Sequence, residues 1–202
     1  MLTEYNYWLW ESVLSNEWCD KAIEYIKQQQ LEIGTTGGDR VVPNEKIRKS
    51  FVHFTNEKFF VSVARDFIMS ANKHAKWNFD INAFEDIQLS KYGESHHYSW
   101  HRDNFLIPDE NTEGSYNLYR KVRKLSFVAN LSEENSYEGG DFLFDYRDGE
   151  VDNNCSHIID MKNFKKRGSV IVFPSYLFHT VKPVTKGIRY SMVNWARGWP
   201  WK

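Results

Sequence analysis

The chain has 202 residues, 26 Lys and Arg against 27 Asp and Glu, and a formal net charge of -1 at pH 7. That length suits one domain able to bury a core of ordinary size. The near-neutral charge excludes bulk electrostatic attraction to nucleic acid or anionic membrane as the basis of function. Aromatic residues make up 16%, with 8 Trp among them, which favours a β-rich core and an apolar pocket.

The first residues, Met1-Leu2-Thr3-Glu4-Tyr5, lack the basic and then apolar regions of a signal peptide. No apolar run reaches the ~20 residues of a membrane helix. Cys19 and Cys155 are too few for a disulfide framework. A soluble, cytoplasmic protein is expected.

In chain order, Ser15 can cap a helix running to about Gln30, with Trp18, Ala22, Ile23 and Ile26 on one face. Thr35-Thr36-Gly37-Gly38-Asp39 reads as a flexible connection. Thr55 opens a second helix to about His74, where Phe59, Phe60, Val63, Phe67 and Ile68 recur at helical spacing. Both stripes read as core packed against a sheet.

From Asp86 the period changes to two. Ile87, Leu89 and Lys91 alternate with Gln88, Ser90 and Tyr92, so the latter three share a strand face. Gly93-Glu94-Ser95 is a turn, and His97 to Asp103 alternates again, placing His101 and Asp103 on one side. His96 and His97 are not read as ligands, and His53, His74 and His157 read as structural or solvated. Residues 104–119 form a long polar loop directly after the His-x-Asp pair, a position suited to a substrate-recognition lid. The basic runs Arg120 to Lys124 and Lys162 to Arg167 read as solvated faces.

Gly168 to Pro174 is a short β-branched run opened by Gly and closed by Pro, the pattern of a buried strand, and His179 follows it. In Gly187 to Trp195, Arg189, Ser191 and Val193 face one way, so a strand-borne Arg and Ser form a two-donor clamp for a carboxylate. Two imidazoles and one carboxylate on one face of Fe(II) leave open positions for a co-substrate and O2. The guanidinium of Arg189 can then pair with the far carboxylate of a keto-diacid. His101, Asp103, His179 and Arg189 together read as an iron and 2-oxoglutarate site.

These segments resemble the prolyl/lysyl-hydroxylase-like Fe(II)/2-oxoglutarate dioxygenases, including small bacterial and phage-type members. The resemblance is carried by Tyr92 to Asp103, Leu125 to Ser132, Tyr137-Glu138-Gly139-Gly140-Asp141-Phe142, Gly168 to Pro174, His179, Pro183-Val184, Gly187, Arg189 and Trp195. Ile47-Arg48-Lys49-Ser50 and Trp77-Asn78-Phe79-Asp80 extend it over nearly the whole chain after about residue 45. It implies a mainly β protein with flanking helices: a double-stranded β-helix, or cupin-like jelly roll, on N-terminal α-helices. One domain, 1–202, is expected, with helical support and first strands in 1–80 and the β-helix core in 81–202.

By the same resemblance, His101, Asp103 and His179 hold iron, Arg189 salt-bridges the distal carboxylate of 2-oxoglutarate, and Tyr92 donates a hydrogen bond to it. Many prolyl hydroxylases have Tyr-Leu-Asn where this chain has Asn130-Leu131-Ser132, so Asn130 stands in for an aromatic that contacts the co-substrate. Ser90 replaces the Asn usual in alkylated-base repair relatives, which weakens a nucleic-acid repair reading. The expected activity is hydroxylation of an unactivated C–H bond with Fe(II), 2-oxoglutarate and O2, acting on a peptidyl proline. The alternatives are an oxygenase of a small metabolite or nucleic-acid base, and a non-catalytic metal- or ligand-binding β-helix.

Overall fold

The computed structural model describes residues 5–36, 44–104, 118–146 and 157–200. In chain order these form β1 (Trp8–Trp10), α1 (Asn16–Gln28), β2 (Glu32–Ile33), β3 (Arg48–Lys49), β4 (Phe51–Thr55), α2 (Lys58–His74), β5 (Ala83–Phe84) and β6 (Ile87–Tyr92). There follow β7 (His97–His101), β8 (Val122–Asn130), β9 (Tyr137–Gly139), β10 (Phe142–Asp145), β11 (Ile158–Asp160), β12 (Val170–Pro174), β13 (Phe178–Val181), β14 (Val184–Gly187) and β15 (Arg189–Gly198).

The helices begin for different local reasons. Ser15 caps α1, its hydroxyl accepting from the Trp18 amide at 3.2 Å, so the expected cap is the observed one. Thr55 does not open α2. It ends β4, its hydroxyl lies 3.2 Å from Tyr25 Oη and accepts from the Glu57 amide, and the helix starts at Lys58. The Thr55 backbone is still paired with Ile87 in the sheet, so the helix starts beyond it, and α2 has no side-chain cap bond. Its buried stripe is Phe60, Ala64, Ile68 and Ala71, while Phe59 is largely exposed.

The strands build a double-stranded β-helix. The major sheet runs β1-β12-β8-β15-β6-β4-β2, with β5 beside β15; the minor sheet runs β11-β10-β13-β7-β3, and β14 pairs with β9. Every pairing is antiparallel. Because strand side chains alternate faces, the central major-sheet strands β6, β8, β12 and β15 feed two cores. Ile87, Leu89, Phe127, Ala129, Val170, Val172 and Met192 pack with the helices. Tyr92, Val128, Ile171 and Phe173 face Phe142, Phe144 and Val181 of the minor sheet. The polar residues that alternate with the first core therefore point into the space between the sheets.

Candidate metal centre

Three ligand-type side chains converge between the sheets. His101 ends β7, Asp103 follows two residues later, and His179 lies on the neighbouring β13, directly opposite His101 in the register. Their donor atoms lie within 4.8 Å of one another, the one such cluster among the described residues. His101 Nε2 is 3.7 Å from Asp103 Oδ1, and His179 Nε2 is 3.6 Å from Asp103 Oδ2.

Backbone carbonyls fix the imidazoles. His101 Nδ1 lies 2.8 Å from Ser99 O and His179 Nδ1 lies 2.8 Å from Leu177 O. A carbonyl can only accept, so each Nδ1 carries the proton and each Nε2 presents a lone pair to the centre of the cluster. Burial, reinforced by the charge of His179, pushes His101 down to about 3, which keeps it neutral at physiological pH. Burial opposes ionisation of Asp103, yet His179, His101 and Arg123 together hold its carboxyl at about 2. The cluster thus brings one carboxylate together with two imidazole Nε2 atoms, the donor set that suits Fe(II) with open positions.

These residues line a cavity of about 310 Å³ together with Tyr92, Arg189 and Ser191. Arg189 is 2% exposed. Among the described residues it has no carboxylate partner; its Nη1 donates to Ser191 Oγ at 3.3 Å and its guanidinium sits 5.5 Å from the Tyr92 ring centre. A buried cation without an acid partner is expensive unless a ligand supplies the anion. That guanidinium beside a His-Asp-His cluster fits a keto-diacid bound with iron. Ser191 accepts from Arg189 and so keeps its own hydroxyl proton for another acceptor.

Asn130 meets this group through the Tyr137 phenol. It is not among the residues that line the cavity, and its amide donates to Lys165 O at 2.7 Å and Ser132 O at 3.2 Å, bracing the end of β8. The aromatic beside Arg189 comes instead from Tyr137 on β9, whose phenol is pushed up by burial against the opposing charge and hydrogen bond of Arg189. The pairing of β9 with β14, which brings Gly187 opposite Tyr137, puts it there.

Several cavity residues were given no site role by the sequence, and Arg123, read there as part of a solvated basic face, lines the cavity instead. Arg48, on β3, is buried by pairing with β7 and donates to Ser50 Oγ, Thr35 O and Gln88 Oε1. Tyr98 stacks on His101 with ring centres 3.5 Å apart, and burial pushes its phenol up to about 12. Arg123 lies 3.8 Å over Trp195 and makes two 2.6 Å bonds to Glu85, which also accepts from Arg197. His53, His74, His96 and His97 lie away from the triad: the first two bond to Gln30 O and Ser70, His96 packs on Phe51, and His97 bonds to Ser95 O. Most of the loop 104–119, residues 105–117, lies outside the described residues.

Comparison with known proteins agrees with this geometry. The profile of the 2OG-Fe(II) oxygenase superfamily matches residues 87–197, a segment that contains the triad and Arg189. A PKHD-type hydroxylase of Synechococcus sp. (strain CC9605) is 34% identical over 114 residues, which is 56% of this chain and 41% of that protein. One from Idiomarina loihiensis is 25% identical over 111 residues, 55% of this chain and again 41% of the relative. The matched stretch therefore spans about two fifths of these relatives. Among solved structures, a Pseudomonas putida prolyl-4-hydroxylase aligns over 96% of this chain and 93% of its own with a TM-score of 0.69 at 18% identity. A Trichoplax adhaerens prolyl hydroxylase, solved with a hypoxia inducible factor peptide fragment, aligns over 96% and 84% with a TM-score of 0.69 at 16% identity. At such identities the likeness is one of fold.

Proposed function

The chain belongs to the 2OG-Fe(II) oxygenase superfamily, and from that premise we propose that it is a peptidyl-prolyl hydroxylase in which residues 1–202 form one domain. The observation that carries the oxygenase reading is the His101-Asp103-His179 cluster sharing one cavity with a buried, acid-free Arg189. His101, Asp103 and His179 are the residues that would hold the metal, and Arg189 the one that would take the distal carboxylate of 2-oxoglutarate. When bound, Fe(II) with 2-oxoglutarate and O2 supplies an oxidant able to hydroxylate an unactivated C–H bond, the co-substrate leaving as succinate and CO2.

The protein's own contribution is orientation and exclusion of water. The Ser99 and Leu177 carbonyls hold both imidazoles in the tautomer that turns Nε2 inward. Tyr92 and Ser191 have hydroxyl protons to offer beside Arg189. Phe142, Val128, Val181 and Val193 form an apolar wall around the same space.

The peptide assignment is supported by the apolar and aromatic side chains that Ile47, Val52, Phe54 and Trp195 add to the cavity lining. The printed names of the relatives and fold neighbours point the same way. A cytoplasmic setting belongs to this reading: Cys19 is free and buried, and no described helix is long and apolar enough to cross a membrane. The test is mass spectrometry of proline-containing peptides incubated with enzyme, Fe(II), 2-oxoglutarate and O2. Gain of one oxygen on proline is the expected result. Succinate formed with no oxidised peptide would move the substrate to a small molecule or a nucleic-acid base.

A further inference from the structure

One side of the Asp103 carboxylate is occupied by protein. Ser126 Oγ donates to Oδ2 at 2.7 Å, and lies 2.9 Å from Ser175 Oγ. Ser126 has a single hydroxyl proton, committed to the carboxylate, so the second bond runs from Ser175 to Ser126. Ser175 also grips the ligand's backbone, its carbonyl accepting from the Asp103 and Asn104 amides, both at 3.0 Å. Its own amide donates to Lys124 O at 2.9 Å, two residues before Ser126. These bonds close a ring through β8, the end of β12 and the residues after β7. Both serines are 0% exposed, so water does not compete for the bonds.

We propose that Ser126 and Ser175 are positioning residues of the metal centre: a two-hydroxyl relay that engages Asp103 Oδ2 and leaves Oδ1 the less engaged oxygen for the metal. The relay rests on reading the triad as a metal site. A carboxylate held at one oxygen and at its own amide cannot rotate to chelate through both oxygens. The coordination positions needed by co-substrate and O2 are thereby kept open. Removing the Ser126 hydroxyl leaves Oδ2 buried without its donor and frees that rotation.

The test is titration of the full, metal-free chain with Co(II), without 2-oxoglutarate, followed by Co(II) visible absorption. Ser126→Ala is expected to raise the Co(II) Kd about ten- to a hundredfold, within the range for such supporting partners, and to change the band shape; Ser126→Thr restores both. Ser175→Ala gives a smaller loss, and the double variant binds no more weakly than Ser126→Ala, because the two hydroxyls act in series. Wild-type affinity in Ser126→Ala overturns the relay, as do losses that simply add in the double variant. If Ser126→Ala does not fold, unchanged Co(II) binding by Ser175→Ala overturns it. Wild-type protein that binds no Co(II) overturns the metal reading itself.

Discussion

His101 and His179 face each other across β7 and β13, and each gives Nδ1 to the carbonyl two residues before it at 2.8 Å. The same local device on neighbouring strands aims both Nε2 atoms at Asp103. Replacing His179 by Ala therefore removes a nitrogen ligand without touching the cavity wall opposite. Co(II) titration should show binding abolished in His179→Ala while its thermal melt in metal-free buffer stays close to wild type.

Arg189 is predicted to govern co-substrate affinity and not metal affinity. Hydrogen bonds to charged groups contribute about 1.5–3 kcal/mol, so Arg189→Ala should raise the 2-oxoglutarate concentration for half-maximal succinate formation about ten- to a hundredfold. Co(II) binding in the same variant should be unchanged. Equal loss of both would contradict the division of labour between the triad and the clamp.

Gly140 controls where that guanidinium lies. Its φ is +64°, and an added Cβ would sit 3.1 Å from Arg189 Cδ, 3.1 Å from Val184 Cγ2 and 3.2 Å from Tyr137 Cε2. Left-handed backbone alone destabilises a non-glycine residue by about 1–2 kcal/mol. Gly140→Ala should lower the melting temperature and also raise the 2-oxoglutarate requirement, which a steady-state titration of the folded fraction would detect.

Glu85 links stability to pH. It is buried, and although burial favours its neutral form, Arg123 and Arg197 hold its carboxyl below the usual value. A depressed carboxyl stabilises the fold fully above the unfolded value of about 4.3, and that contribution is lost as pH falls through the folded value. Urea midpoints of wild type should therefore drop on acidification below about pH 4.3 more steeply than those of Glu85→Gln. At pH 7 that variant should be destabilised by about 3–5 kcal/mol, since two guanidiniums lose their common acid.

The triad was legible because its members carry short-range signals: His101 and Asp103 share a period-two segment, and His179 and Arg189 sit beside strand runs bounded by Gly and Pro. The place of Ser191 followed from the same alternation, whereas the role of Tyr92 came from the family resemblance. Residues whose role depends on pairing between distant strands were not legible. Arg48 reaches the cavity only because β3 pairs with β7, and Tyr137 reaches Arg189 only because β9 pairs with β14. The setting of Asn130 was hidden for the same reason, since the Lys165 carbonyl that engages its amide is 35 residues away. The start of α2 was missed because Thr55 still pairs in the sheet with Ile87, a partner distant in the sequence. The carbonyls that fix the imidazole tautomers lie only two residues upstream, yet no residue type marks them.

The central claim is that this triad supports 2-oxoglutarate-dependent oxidation. The most direct measurement is succinate formation, by mass spectrometry, from anaerobically reconstituted Fe(II) protein given 2-oxoglutarate and then O2, with His179→Ala in parallel. Succinate that requires added Fe(II) and disappears in His179→Ala is the predicted result; wild-type succinate formation by His179→Ala, or none from intact metal-loaded protein in the presence of peptide substrates, would contradict it.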